Sequence, residues 1–244
     1  MKALILGAGY ATRLYPLTRT RPKPLLPVGG VPIIQRILDK LVEVKGLDHI
    51  YVVSNHTFVA QYYTWLNGVK SPIPVDIYDD MTRTNEDRLG AIGDIQFVID
   101  HAKIDDELLV VAGDNLIEFK VQDFVDFSAV HGTSVALKDL GSSEHVSLYG
   151  AVTTDAEHRV TKFEEKPPRP KTSLIAIGLY GFKREHLPLM KKYLSEGYYK
   201  DAPGYFLQWL YEKVPLYGYV IGGEWFDIGD IDSYNRANEK YGDT

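Results

Sequence analysis

Apolar residues along this chain fall into short continuous runs separated by stretches of helical period, an alternation that predicts strands and helices in turn. Runs at 3–6, 50–53, 75–78 and 108–112 read as strands, and 108–112 is the clearest buried one. Ile33, Ile34, Ile37, Leu38, Leu41 and Val42 recur at the spacing of one helix face, and 59–66, 92–102 and 121–130 read as further helices. A β-α-β order of this kind implies a largely parallel sheet with helices on both faces. After Thr133 the texture changes to shorter strands, at 134–137, 150–154, 159–163 and 174–182, which predict an inserted antiparallel layer. Helices are expected at 185–194, 205–212 and 231–241. No internal repeat, low-complexity tract or Pro/Gly-rich linker divides the chain, so residues 1–244 are expected to form a single domain.

Composition narrows the function classes. Hydrophobic residues make up 45% and charged residues 25% of the 244 positions, the balance of a globular protein with a sizeable core. Lys plus Arg number 27 against 33 Asp plus Glu, and the net charge of -6 argues against a general nucleic-acid or anionic-membrane binder. Any phosphate site must then be a local basic patch. Without cysteine there are no disulfides or thiolate metal sites, and the seven histidines lack metal-ligand spacing. The N-terminal apolar run is too short for a signal peptide, and no stretch approaches a membrane span, so a cytoplasmic location is expected.

The chemistry-bearing residues begin where the first strand ends. Gly7-Ala8-Gly9-Tyr10-Ala11-Thr12-Arg13 opens like a dinucleotide fingerprint, but Thr12 stands where the third glycine belongs, and the Gly-Lys-Ser/Thr end of a Walker loop is missing. What remains is a glycine loop whose amides can approach phosphate oxygens, followed by an arginine. The segment from Arg19 to Val28 adds cations in a proline-stiffened loop, with Lys23 held between Pro22 and Pro24. Taken singly, each of these reads equally well as a turn or a solvated basic loop. At the end of the 108–112 strand, Gly113-Asp114-Asn115 presents a carboxylate whose direction the sheet fixes.

Together these pieces form a recognisable series. Gly7-x-Gly9 to Thr12-Arg13-Leu14, Pro16-Leu17-Thr18, Pro22-Lys23-Pro24-Leu25-Leu26-Pro27-Val28 and Gly30-x-Pro32-Ile33 closely resemble the signature of sugar-1-phosphate nucleotidyltransferases. That family includes glucose-1-phosphate thymidylyl- and uridylyltransferases and mannose-1-phosphate guanylyltransferases. The resemblance continues in family order through Gly113-Asp114-Asn115, Tyr149-Gly150, Phe163-Glu164-Glu165-Lys166-Pro167, Gly178 with Tyr180, and Trp225-Phe226-Asp227-Ile228-Gly229.

The resemblance implies an α/β, Rossmann-like three-layer fold, its central sheet mostly parallel with a small antiparallel insertion. It implies a reaction between a nucleoside triphosphate and a sugar 1-phosphate that yields a nucleotide sugar and pyrophosphate. It implies Mg²⁺ held by Asp114 and Asp227, and catalytic roles for Arg13, Lys23 and Lys166. Gly7, Ala8, Gly9, Arg13, Lys23, Gly90 and Asp114 would meet the nucleotide; Asn115, Gly150, Glu165 and Lys166 would meet the sugar phosphate.

Two departures leave specificity open. The segment 85–93 matches the family's base-reading loop only loosely, and Pro24 stands where thymidylyltransferases commonly carry glutamine. A nucleotide-sugar-dependent glycosyltransferase is the second reading, although its usual Asp-x-Asp is absent after Asp114. A nucleotide-binding regulatory homologue is the third. The aromatic region from Tyr193 to Tyr241 is expected mainly in the core, with a sugar-pocket wall or a homo-oligomer contact as the alternatives.

Overall fold

The apolar runs become buried strands whose alternate residues feed two different cores. In β1 (Lys2–Leu6), Ala3 and Ile5 join one cluster and Leu4 the other, as the two-residue period of a strand requires. β4 (His49–Ser54) divides the same way, with Ile50 and Val52 against Tyr51 and Val53, and so does β6 (Leu108–Ala112), with Leu109 and Val111 against Leu108 and Val110. A computed structural model describes residues 1–242.

Strands β1, β4, β5 (Val75–Asp79) and β6 form the parallel half of a nine-stranded sheet, in the order β5-β4-β1-β6. Helices α1 (Ile33–Leu41) and α2 (Val59–Asn67) lie on the face of the first core, to which α4 (Val121–His131) also contributes. Helix α3 (Ala91–Ala102) packs on the opposite face, joined by α5 (Pro188–Ser195) and α6 (Pro203–Leu210). The change of face follows from the route of the chain. It winds outward through β1, β4 and β5, then returns to place β6 on the other side of β1. Right-handed crossovers therefore put the returning helix on the opposite face. The gap between the carboxyl ends of β1 and β6 is the switch point, where sheets of this kind bind ligands.

The antiparallel strands extend this sheet. β11 (Leu174–Phe182) pairs with β6, β8 (Ser134–Asp139) and β9 (Gly150–Thr154), and β10 (Val160–Glu165) with β9, all antiparallel; β12 (Tyr217–Val220) adds a parallel pairing to β8. The expected three-layer α/β arrangement is present, with the antiparallel insertion continuous with the parallel strands.

Several short elements escaped the periodicity. A hairpin of β2 (Pro27–Val28) and β3 (Val31–Pro32) hides in the proline-rich segment, and β7 (Asn115–Ile117) pairs with β13 (Trp225–Asp227) in a two-stranded ribbon. Two helix starts also move. α5 begins at Pro188 and α6 at Pro203, because the first helical position has no intrahelical use for the N–H that proline lacks.

One close approach positions everything above the sheet. The Gly113 N–H donates to the Leu6 carbonyl at 2.9 Å, so the end of β6 rests on the end of β1. A Cβ at Gly113 would stand 2.9 Å from Pro24 Cγ and closer still to the Leu6 carbonyl oxygen. Gly113→Ala is therefore expected to cost about 2 kcal/mol or more through overpacking against backbone. Gly9→Ala, with no atom within 4 Å of the added methyl, is expected to change stability little. Equal urea midpoints for the two variants would show that this seat is not tight.

Candidate active site

Above the switch point a cleft of about 1110 Å³ opens, and every site residue expected from the sequence lines it. Gly7, Ala8 and Gly9 form its floor at the end of β1, where Gly7 accepts the Tyr62 hydroxyl on its carbonyl at 2.9 Å and gives its N–H to Val53 at 2.9 Å. Tyr10 turns inward instead, sharing a hydrogen bond with the Thr82 hydroxyl at 3.2 Å. Arg19 and Arg21 do not line the cleft, so of the cations in this loop Lys23 alone enters it.

Lys23 is 7% exposed and its Nζ lies 2.7 Å from Asp114 Oδ2. Asn115 donates its amide to the other oxygen of Asp114 at 2.7 Å, while its own Oδ1 accepts from the Trp225 indole and from the Gly178 N–H. Burial by itself pushes the Asp114 carboxyl up; the Lys23 ammonium and the Asn115 amide outweigh it and hold the group below its ordinary value.

Register in the β7–β13 ribbon sets Asp227 opposite Asn115, next to Asp114. Burial first, and then the Asp114 charge, push Asp227 up to about 6, against the pull of Lys23 and Arg13. Two carboxylates that repel one another at the wall of the cleft suit a hard divalent cation. Among the described residues no group of three or more acidic, histidine or cysteine side chains could hold a metal. Asp114 and Asp227 would thus leave most of a Mg²⁺ shell to water and phosphate oxygens, as that ion commonly requires.

The opposite wall comes from the antiparallel strands. Glu165 ends β10 with its side chain 7% exposed, and burial raises its carboxyl against the lowering pull of Lys166, whose Nζ is 4.0 Å away. Two glycines make the room. A Cβ at Gly150 would stand 2.8 Å from the Phe163 ring and 3.0 Å from Glu165 Oε2, and one at Gly204 would overlap the same carboxylate. Lys166 has a left-handed φ of 48°, held by its N–H to the Tyr149 carbonyl at 3.0 Å. That conformation costs a residue with a Cβ roughly 1–2 kcal/mol, and here it turns a half-exposed ammonium out of the strand into the cleft.

Gly90 borders the cleft just before α3, and its φ of 79° brings its backbone against Lys200. Arg88 spans from this loop to Asp201 with two bonds, of 2.9 and 2.8 Å. Behind them Asp94 and Asp80 form a buried acidic pair. Asp80 Oδ1 accepts the N–H and the hydroxyl of Thr82, while Asp80 Oδ2 and Asp94 Oδ1 have no donor. Burial raises both carboxyls, and the Asp80 charge raises Asp94 further.

Nothing in sequence spacing marks Asp94, Arg88, Asp201 or Gly204 as neighbours. Arg88 and Asp94 lie more than a hundred positions before Asp201 and Gly204, and the start of α3, packed on the segment before α6, joins the two groups. The aromatic stretch divides as well: Tyr193, Phe206 and Trp209 pack together at 5.2 to 6.0 Å, whereas Trp225 faces the cleft.

Fold and site define an α/β protein that gathers cations and carboxylates in one cleft at its sheet's switch point. The chain belongs to the nucleotidyl transferase family, whose model matches residues 2–244. It is 30% identical over 232 residues to the bifunctional protein GlmU of Methanocaldococcus jannaschii, covering 94% of this chain and 51% of that protein. To the UTP–glucose-1-phosphate uridylyltransferase of Synechocystis it is 28% identical over 246 residues, covering 97% of this chain and 62% of that one. The chain thus spans about half to three fifths of the length of these curated relatives. In fold it matches a UDP-glucose pyrophosphorylase solved with UDP-glucose, with a TM-score of 0.82, 19% identity, and 98% and 97% of the two chains covered. No helix among the described residues is long and apolar enough to cross a membrane.

The acidic pair has a measurable signature. Burial first, and then the Asp80 charge, push Asp94 up to about 8. A carboxyl with a folded pKa above its unfolded value keeps its proton longer in the folded state, so stability declines as pH rises from about 4 through about 8. The melting temperature is expected to fall between about pH 5 and 8, by some 2–4 °C per ~1 kcal/mol. Asp94→Asn, which supplies a permanent donor to Asp80, is expected to flatten that slope. Identical slopes in the two proteins would rule the pair out as its source.

Proposed function

We propose that this chain joins a sugar 1-phosphate to a nucleoside triphosphate, forming a nucleotide sugar and releasing pyrophosphate. The observation that carries this reading is the convergence of Arg13, Lys23 and Lys166 with Asp114 and Asp227 in one cleft, from five separate places in the chain. Family membership supports the same reading and favours it over a glycosyltransferase, which would consume a nucleotide sugar.

The reaction needs no covalent intermediate. A phosphate oxygen of the sugar 1-phosphate forms a bond to the α-phosphorus. The bond from that phosphorus to the α–β bridging oxygen breaks, and its electron pair leaves with pyrophosphate. A phosphate monoester is already mostly a dianion at neutral pH, its second pKa being near ~6. The work of the protein is therefore orientation and charge neutralisation between two anions that repel each other.

Each residue contributes to that work. The Gly7–Gly9 backbone can approach triphosphate oxygens closely. Lys23 spends one N–H on Asp114 and keeps two for phosphate. Lys166, turned out of its strand, positions the attacking phosphate, while the Glu165 carboxylate accepts sugar hydroxyls. Asp114 and Asp227 would hold Mg²⁺, which supplies charge neutralisation and a template for the two reactants when bound. Gly90 borders the side of the cleft that would take the base.

Lys166→Ala is expected to raise the KM for sugar 1-phosphate by about tenfold or more, the value of one charge-assisted hydrogen bond, with a smaller change for triphosphate. Asp114→Asn and Asp227→Asn are each expected to remove most Mg²⁺-dependent turnover with circular dichroism unchanged. A matrix of triphosphates against sugar 1-phosphates, read by pyrophosphate release, tests the reaction itself. Consumption of a nucleotide sugar without pyrophosphate release would overturn it.

A further inference from the structure

Cations that line the cleft differ in whether a carboxylate already holds them. Lys23 is paired with Asp114 at 2.7 Å and Arg88 with Asp201 at 2.8 Å, and Lys166 stands 4.0 Å from Glu165. Among the described residues, no carboxylate oxygen lies within 4.0 Å of the guanidinium of Arg13 or of Arg236, and neither side chain makes a hydrogen bond. Arg13 follows the glycine loop. Arg236 comes from the opposite end of the chain, on α7 (Ile231–Gly242).

Helix α7 is anchored so that this arginine has a fixed base. The Tyr234 hydroxyl donates to the Pro27 carbonyl at 2.7 Å, Asn238 Oδ1 accepts the Gly29 N–H at 3.1 Å, and Ala237 is fully buried. Asp230, Ser233 and Arg236 recur every three residues, one face of the helix, and all three border the cleft. Asp230 is occupied capping the helix, accepting the Ser233 N–H at 2.8 Å. Arg13 and Arg236 both border the cleft, and the charges of both act on the Tyr149 phenol and on Asp230.

We propose that Arg236 is a substrate-binding residue, which with Arg13 grips the β- and γ-phosphates of the triphosphate and holds them as they leave as pyrophosphate. The inference rests on the proposed function and assigns it a further residue. Two guanidiniums with their donors unspent suit a ligand that carries two adjacent phosphates, because each fork can take a pair of oxygens. The sugar phosphate has its own cation in Lys166, at the end of β10. Arg236 instead shares neighbours with the residue of the glycine loop. Bond making and breaking are unchanged; the electron pair that departs with the bridging oxygen adds charge to the group Arg236 faces.

Isothermal calorimetry of inorganic pyrophosphate with the full chain, its Arg236→Ala variant and its Arg236→Lys variant tests this directly. Arg236→Ala is expected to weaken pyrophosphate binding by about tenfold or more. Arg236→Lys should recover part of that loss, since it keeps the charge but not the fork. In steady-state assays the KM for sugar 1-phosphate should change by less than about twofold, a change worth under ~0.4 kcal/mol. Unchanged pyrophosphate affinity in Arg236→Ala, or a sugar phosphate KM that rises as much as the pyrophosphate constant, would overturn the assignment. The calorimetry needs no turnover, so it decides on Arg236 even where no substrate pair reacts, a result that would count against the proposed function alone.

Discussion

Everything above the sheet depends on the ion pair between Lys23 and Asp114, set where the ends of β1 and β6 touch. A buried ammonium is tolerated only beside an opposite charge, and removing either partner strands the other in a poorly solvated place. Pro22 and Pro24 limit how the Lys23 backbone can move, and Gly113 lets Pro24 and the Leu6 carbonyl close over the strand end. The pair thus ties three segments together at the edge of the cleft. Asn115 extends the connection. By bonding to Asp114 and to the Trp225 indole, it locks the β7–β13 ribbon that presents Asp227.

The second wall obeys a different constraint, which is space. Glu165 is nearly enclosed, and only the missing side chains of Gly150 and Gly204 leave room for its carboxylate. Raising that carboxyl while leaving Lys166 exposed gives the two neighbours distinct characters. One is a confined acceptor, the other an exposed cation. The left-handed backbone at Lys166 separates them, since an extended residue there would continue the strand.

The cleft is thus acidic at two places and cationic at several. At one end burial raises the carboxyls of both Asp80 and Asp94, and the Asp80 charge raises Asp94 further. At the other, α7 carries Arg236 to a rim where Arg13 already stands. Helix α7 is held through the β2–β3 hairpin, so the proline-rich segment that positions Lys23 also supports the last helix. Charge placed by residues two hundred positions apart is in this way mechanically linked.

Much of this was legible before any coordinates. Continuous apolar runs could only be buried strands, and their alternation with helical periods left few arrangements other than an α/β sheet. The glycine loop, the Pro22-Lys23-Pro24 segment and the carboxylates at strand ends stand in local patterns whose chemistry follows from residue type. The sequence by itself therefore determined the fold class and the identity of the charged groups. Tertiary structure alone decided which charges spend themselves on one another, that Gly150 and Gly204 serve a single carboxylate, that Asp94 finds Asp80, and that Arg236 is left facing the cleft. The reason is physical: periodicity and turn chemistry act over a few residues, whereas pairing and burial are set by distances that only the packed chain brings into being.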